Sequence, residues 1–341
     1  DIADINNDGL MDLINLDMMA EGNQRQKQLK GQNPYDQYHM AVDYGLSHQV
    51  MRNTLQLNNG NGTFSEIGQL SGVSHTDWSW TPLFADFDND GLKDLFVSNG
   101  YYKDLTDMDY IKYDSNTAIQ KAGGKDNVKR TDLVKLLKSN PPKNYIYKNN
   151  GDLTFSKKSN DWGFTSSSFS RNNSRELQPD NKYLSIQLNG TKNNPNGVGA
   201  TVIVTTSKGE QHLESSPYRG YFSSVEPLLH FGLGKGIDSV FVRVNWPNGK
   251  FQELKNVKVN QRLVVDISKA KKRKFQKKKS EKPLLAKVQN QLTKKHLHKE
   301  DNFIDFKREP LLEHKISNKG PFLTKGDVNG DGLEDLYIGG A

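Results

Sequence analysis

The sequence predicts an all-β chain in which repeated four-stranded units precede a second, sandwich-like β unit. Three observations carry this expectation. A loop rich in Asp, Asn and Gly recurs three times, an Asn-Gly hairpin pattern recurs twice, and a later stretch alternates apolar with polar residues between Gly-containing turns. Only 34% of the 341 residues are hydrophobic and 29 are Gly, which suits many short strands and turns.

The first loop places Asp4, Asn6, Asp8 and Asp12 at positions 1, 3, 5 and 9, with Gly9 at position 6. The middle loop repeats the spacing with Asp86, Asp88, Asp90, Gly91 and Asp94, and the last with Asp327, Asn329, Asp331, Gly332 and Asp335. Glycine after the third oxygen position frees the chain to turn where a Cβ would obstruct φ > 0. Adding the backbone carbonyl at position 7 (Leu10, Leu92 or Leu333) gives each loop a shell of oxygen ligands. Such a shell suits Ca²⁺, which takes 6–8 oxygens. The alternative is a plain Asp/Asn/Gly turn with no metal.

An EF-hand shares the opening of this pattern but needs a bidentate Glu at position 12, between two helices. Position 12 here is Asn15, Val97 or Ile338, and the flanks Pro82–Ala85 and Leu95–Ser98 are of strand type. The loops are therefore expected between strands. The middle one, with four carboxylates against three, is expected to bind most tightly.

The hairpin Asn53–Phe64 matches Asn144–Phe155 almost position for position. Loop and hairpin alternate, so each unit supplies about four strands, the content of one propeller blade. Insertions separate them. Gln24–Met40 is polar and expected to cap a surface, while Asp132–Lys138 has helical spacing, a Thr131 N-cap and a stop before Pro141-Pro142. Trp78 and Trp80 alternate onto one side of a strand; we assign them to a core between blades, with sugar stacking as the alternative.

After the second hairpin the next loop is missing, and Thr165–Ser170 leads a polar stretch to Asp180. A different unit starts near Lys182. Leu184, Ile186 and Leu188 alternate, then Val202 and Val204, then Val240, Val242, Val244 and Trp246, with a last strand at Leu263–Val265, as in a sandwich. Gly232-Leu-Gly-Lys-Gly236 precedes a strand and matches neither phosphate-loop pattern, which excludes a nucleotide site there. The expected domains are propeller repeats at 1–165, a linker at 166–181, the second β unit at 182–267, a basic linker at 268–300, and the start of a further repeat at 301–341.

The net charge of +7 sits in one place. Lys269–Lys282 holds nine Lys/Arg against Glu281, a net of +8, so the rest of the chain sums to −1. Such a block reads as a solvated linker, and a nucleic-acid partner is not expected. No Cys is present, which excludes disulfides and thiolate chemistry. No apolar run approaches the roughly 18–20 residues of a membrane span. The chain opens and closes beside a repeat, no closed ring can be counted, and exposed blade edges invite aggregation. A piece of a longer protein is expected.

Asp86–Asp94 followed by Asn99-Gly100, and Asp327–Asp335 followed by Gly339-Gly340-Ala341, resemble the FG-GAP or VCBS repeat of integrin α-type propellers. Residues 182–265, with Asn196-Gly-Val-Gly-Ala200, Gly220-Tyr-Phe-Ser-Ser224, His230-Phe-Gly-Leu-Gly234 and Trp246-Pro-Asn-Gly249, resemble the ASPIC/UnbV domain. The combination is similar to secreted or surface proteins of Bacteroidota-type bacteria and to the cartilage acidic protein family. The resemblance implies calcium-loop propeller blades, here an incomplete ring, plus an ASPIC/UnbV β domain.

The function expected is a non-enzymatic, extracellular or outer-membrane-associated calcium-binding module for adhesion, with a glycan or surface protein as partner. The competing reading is a polysaccharide-active enzyme or accessory subunit on a calcium propeller. An enzyme needs convergent acid, base and orienting residues. The eight His show no metal-ligand spacing beyond His296-Leu-His298, His230 reads as structural, and no nucleophile motif occurs.

Overall fold

The computed structural model describes residues 1–29, 35–46, 51–100, 103–104, 107–137, 143–164, 180–272, 298–299, 303–309, 312, 317 and 320–339. The chain divides into two compact units, Asp1–Leu29 with Val50–Phe275, and Lys30–Gln49 with Gln276–Ala341.

In the first unit, β1 (Ile2–Ala3) and β2 (Asp12–Asn15) flank the first Asp loop. Helix α1 (Asn23–Leu29) follows, and α2 (Tyr35–Asp43) belongs to the second unit. Strands β3 (Thr54–Asn58) and β4 (Phe64–Glu66) close an antiparallel sheet of order β1-β2-β3-β4. The second sheet repeats this order with β5 (Ser79–Ala85) and β6 (Asp94–Asn99) around the middle loop, then β7 (Tyr145–Asn149) and β8 (Phe155–Lys157). Both are four-stranded blades built from one loop and one hairpin. Their facing residues, among them Ile5, Ile14, Leu55, Val73, Phe84, Leu95, Val97 and Phe155, form one core. Each such side chain stabilises the fold by roughly 1.5–3 kcal/mol on burial.

Between β6 and β7 lie α3 (Ser115–Lys121) and α4 (Arg130–Leu136). The helix expected at 132–138 thus starts two residues earlier, capped by extended Lys129 in place of Thr131, because the Lys129 carbonyl already accepts from the Asp132 and Leu133 amides. Pro141-Pro142 lies outside the described residues. The two indoles do not fill the inter-blade core. Trp80 is 44% exposed and Trp78 is half-buried, since Asp77 turns the chain at φ 63° and a register shift between Ser79 and Thr81 re-aims the strand.

The sandwich pairs two sheets over a second core. One has order β11-β10-β13-β14-β16, from β10 (Thr201–Thr206), β11 (Gly209–Glu214), β13 (Ser239–Asn245), β14 (Lys250–Lys258) and β16 (Lys271–Lys272). The other has order β12-β9-β15, from β9 (Lys182–Asn189), β12 (Leu228–Gly234) and β15 (Gln261–Asp266), with β15 parallel to β9. The period-two residues read from sequence, Leu184, Ile186, Leu188, Val202, Val204, Val240, Val242 and Val244, are all buried here. β16 pairs with Lys250 and Phe251, so the first lysines of the basic run extend the sheet past residue 267. Residues 273–297 and 165–179 lie outside the described residues, as does His296.

In the second unit, α5 (Asp305–Arg308) precedes the hairpin of β17 (Phe322–Gly326) and β18 (Asp335–Gly339) around the last Asp loop. β17 is exposed along its whole length.

Candidate functional site

All three loops fold on one hydrogen-bond skeleton. In the middle loop Asp86 accepts from the Asp90 and Gly91 amides (3.1 and 2.8 Å), and Asp90 accepts from Leu92 (2.9 Å). The first loop repeats this with Asp4 accepting from Asp8 and Gly9, and Asp8 from Leu10. The last does so with Asp327, Asp331, Gly332 and Leu333. The position-9 carboxylate reaches back to the second amide of its loop: Asp12 to Ile5, Asp94 to Phe87 and Asp335 to Val328, each at 3.0 Å. Position 4 is left-handed like position 6, with φ of 58° at Asn7, 59° at Asn89 and 77° at Gly330. That explains Asn and Gly at a position without an assigned ligand.

Loop and hairpin interlock through position 9. Asp12 and Asp94 also accept from the backbone amides of Asn58 and Asn149 in the following hairpins (2.8 and 2.9 Å). The same asparagines donate side-chain bonds to the Met11 and Lys93 carbonyls, and Asn149 reaches across to the Ile5 carbonyl of the first loop. The matched Asn of the two hairpins was visible in the sequence; its task was not.

The sandwich backs directly onto the middle loop. Gly234 donates to the Asn89 carbonyl (2.8 Å) and Asn181 to the Asp88 carbonyl (2.7 Å), while Gln211, which donates to the Gly232 carbonyl within the sandwich (2.6 Å), accepts from Lys93 of the loop (3.3 Å). Gly232 is there because of close approach: a Cβ would stand 1.9 Å from an Asp86 carboxylate oxygen. Burial, reinforced by the Lys93 charge, lowers the His230 pKa, so its neutral Nε2–H donates to Asn89 (2.6 Å) while Nδ1 accepts from Ser185 (2.9 Å). A second contact runs from Arg219 to the Asp1 carboxylate and the Phe84 carbonyl, all at 2.8 Å.

The middle loop gathers ligand oxygens of Asp86, Asp88 and Asp94 within 4.8 Å of one another, and all three residues are buried. Among the described residues this is the one group of three or more His, Cys, Asp or Glu so arranged. Asp90 stands beside the trio, and Asp4, Asp8 and Asp12 share the skeleton without gathering so closely. Burial pushes Asp86 up to about 6 and Asp94 up to about 8, and raises Asp4 and Asp12. Desolvated carboxylates at this density call for a cation. Two lysines respond. Lys93, 3% exposed, donates to Gln211 (3.3 Å) near Asp86, Asp4 and Asp94, and burial lowers its pKa. Lys148 sets its ammonium on both Asp88 and Asp90. An all-oxygen, buried, acidic pocket that already draws an ammonium is chemically fit for a hard metal cation.

The last loop is exposed throughout its ligand positions, and its internal amide hydrogen bonds lower the Asp327 and Asp331 pKa values. It keeps the skeleton without the neighbours.

A cleft of about 710 Å³ opens elsewhere on the first unit, lined by Leu13, Trp80, Pro82, Leu213, Tyr218 and Tyr221 among others. Trp80 and Tyr221 rings lie 5.4 Å apart, and Phe222 beside them is 92% exposed.

Residues 190–272 match the family model described as ASPIC and UnbV, covering β10 to β16. Residues 42–97 match that of the FG-GAP-like repeat, which takes in the first hairpin and the middle loop. No curated protein matches the chain at a significant level. No helix among the described residues is long and apolar enough to cross a membrane. By these two matches and by its sheets, the chain carries FG-GAP-like repeat blades joined to an ASPIC/UnbV-type domain.

Proposed function

We propose that the chain is a calcium-stabilised, non-enzymatic binding module of the extracellular space or cell surface, with a glycan or another surface protein as its ligand. The observation that carries the reading is the buried Asp86, Asp88 and Asp94 trio on a skeleton shared by three loops. Calcium would be held by Asp86, Asp88, Asp90, Asp94 and the Leu92 carbonyl. The matching sets are Asp4, Asn6, Asp8, Leu10 and Asp12, and Asp327, Asn329, Asp331, Leu333 and Asp335. The ion supplies charge neutralisation and a fixed loop shape. Asp94 transmits that shape to the next hairpin through the Asn149 amide.

An extracellular setting fits, because modules of this kind fill their sites at calcium levels found outside the cytosol. The exposed Trp80, Tyr221 and Phe222 supply a surface on which ring faces and polar edges can meet a ligand.

Thermal unfolding in EDTA and then in millimolar calcium tests the reading on the wild type and on Asp90→Ala. Ligand at 100 Kd adds about 2.7 kcal/mol per site, so a rise of several degrees is expected, with a smaller rise in the variant. No rise at any calcium concentration would overturn it.

A further inference from the structure

The first and middle loops differ in a neighbour that the structure brings to one of them. Aligning the hairpins on their shared Asn-Asn-Gly puts Lys148 of β7 where the first hairpin has Leu57 in β3. Each residue immediately precedes the asparagine, Asn58 or Asn149, whose amide donates to the position-9 carboxylate. The two residues therefore hold the same register position beside their loops. Leu57 packs against the apolar core between the blades. Lys148 instead puts its ammonium on Asp88 and Asp90, at loop positions 3 and 5.

We propose that Lys148 is a resident counter-ion of the middle loop, which holds Asp88 and Asp90 together when no metal is bound and has to leave for calcium to enter. The inference rests on the calcium reading above and reverses the ranking expected from carboxylate count. Apart from Lys93, which lies near Asp86, Asp94 and Asp4 and so is shared by both loops, four carboxylates less the Lys148 ammonium leave the middle loop with the charge of Asp4, Asp8 and Asp12 in the first. The middle loop must also give up two charge-assisted hydrogen bonds before it can bind. The first loop, with no ammonium seated on its carboxylates among the described residues, is the tighter calcium site and the one whose folding needs the metal. The middle loop stays closed at low calcium and opens to the ion only as calcium rises.

Calcium titration of the full chain with ¹⁵N-labelled glycine reports the loops separately, through the amides of Gly9 and Gly91. In the wild type the Gly9 signal is expected to reach its midpoint at a calcium concentration at least tenfold below that of Gly91. In Lys148→Leu, which installs the first hairpin's residue, the Gly91 midpoint falls at least tenfold and the Gly9 midpoint stays. The variant's melting temperature in EDTA falls as well. Lys148→Gln, of similar length and uncharged, gives the same direction if the leucine variant does not fold. A Gly91 midpoint that is unchanged or raised in the variants, while Gly9 still titrates, overturns the role of Lys148 and leaves the calcium reading standing. No response at either glycine in any of the proteins overturns both.

Discussion

The middle and last Asp loops share their internal hydrogen bonds almost atom for atom, yet their carboxylates titrate in opposite directions. Burial raises Asp86 and Asp94, whereas amide hydrogen bonds lower exposed Asp327 and Asp331. The loop's shape is thus a local property of nine residues. Its electrostatics belong to what packs against it: a second hairpin through Asn149, a sandwich strand through Gly232, and the lysines 93 and 148. A calcium motif in sequence specifies a cradle, and only its neighbours decide how strained that cradle is when empty of charge compensation.

The comparison breaks most visibly at glycine. Gly232→Ala forces a Cβ against an Asp86 carboxylate that two backbone amides hold in place, so a loss of about 3 kcal/mol or more is expected in urea unfolding. Gly326→Ala beside the last loop meets nothing within 4 Å and should change stability by less than about 0.5 kcal/mol. Equal effects would show that the sandwich does not rest on the middle loop.

A smaller contrast is expected at position 9. Asp94→Ala strands the part-buried Phe87 amide and the buried Asn149 amide and should cost about 2 kcal/mol at pH 5, where the carboxyl is already protonated. Asp335→Ala, which frees one exposed amide, should cost less than about 1 kcal/mol. Urea unfolding at that pH compares the two directly.

The pH dependence sharpens the same point. Asp86 and Asp94 have folded pKa values of about 6 and about 8, above the ordinary carboxyl value of 3.8. Between about pH 4 and 8 these two carboxyls hold more protons folded than unfolded, so their contribution to stability falls as pH rises, against the opposite contributions of the Asp1 amino group and His230, whose pKa values burial lowers. In EDTA the Asp94→Asn variant should therefore lose less melting temperature than the wild type on going from pH 5 to 8, and calcium should flatten the wild-type slope. Asp327 and Asp331 act in the opposite sense: their contribution is present above about pH 4 and is lost only below it. A pH slope identical in the wild type and Asp94→Asn would contradict the raised pKa of the buried Asp94 carboxyl.

Much of this was legible from the sequence. Spacing alone placed the loops between strands, paired the first two with their hairpins, and put Val202, Val204, Val240, Val242 and Val244 in a sandwich core. These are local, periodic signals. What the sequence did not show is long-range: that Gly232 lies against Asp86, that His230 bonds Asn89 and Gln211 bonds Lys93 of the loop, and that Lys148 reaches Asp88. A glycine-rich strand end announces a close approach without naming what approaches. Trp80 misled for a related reason, since strand alternation predicts a face but a register shift before Thr81 changes which side the indole occupies.

The most direct test of the central claim is a crystal grown with calcium and measured at a wavelength where calcium scatters anomalously. The account predicts an anomalous peak about 2.3–2.6 Å from oxygens of Asp86, Asp88, Asp90 and Asp94, with the Lys148 ammonium turned away, and a second peak among Asp4, Asp8 and Asp12. A structure at millimolar calcium with no peak in either loop and Lys148 still seated on Asp88 and Asp90 would contradict it.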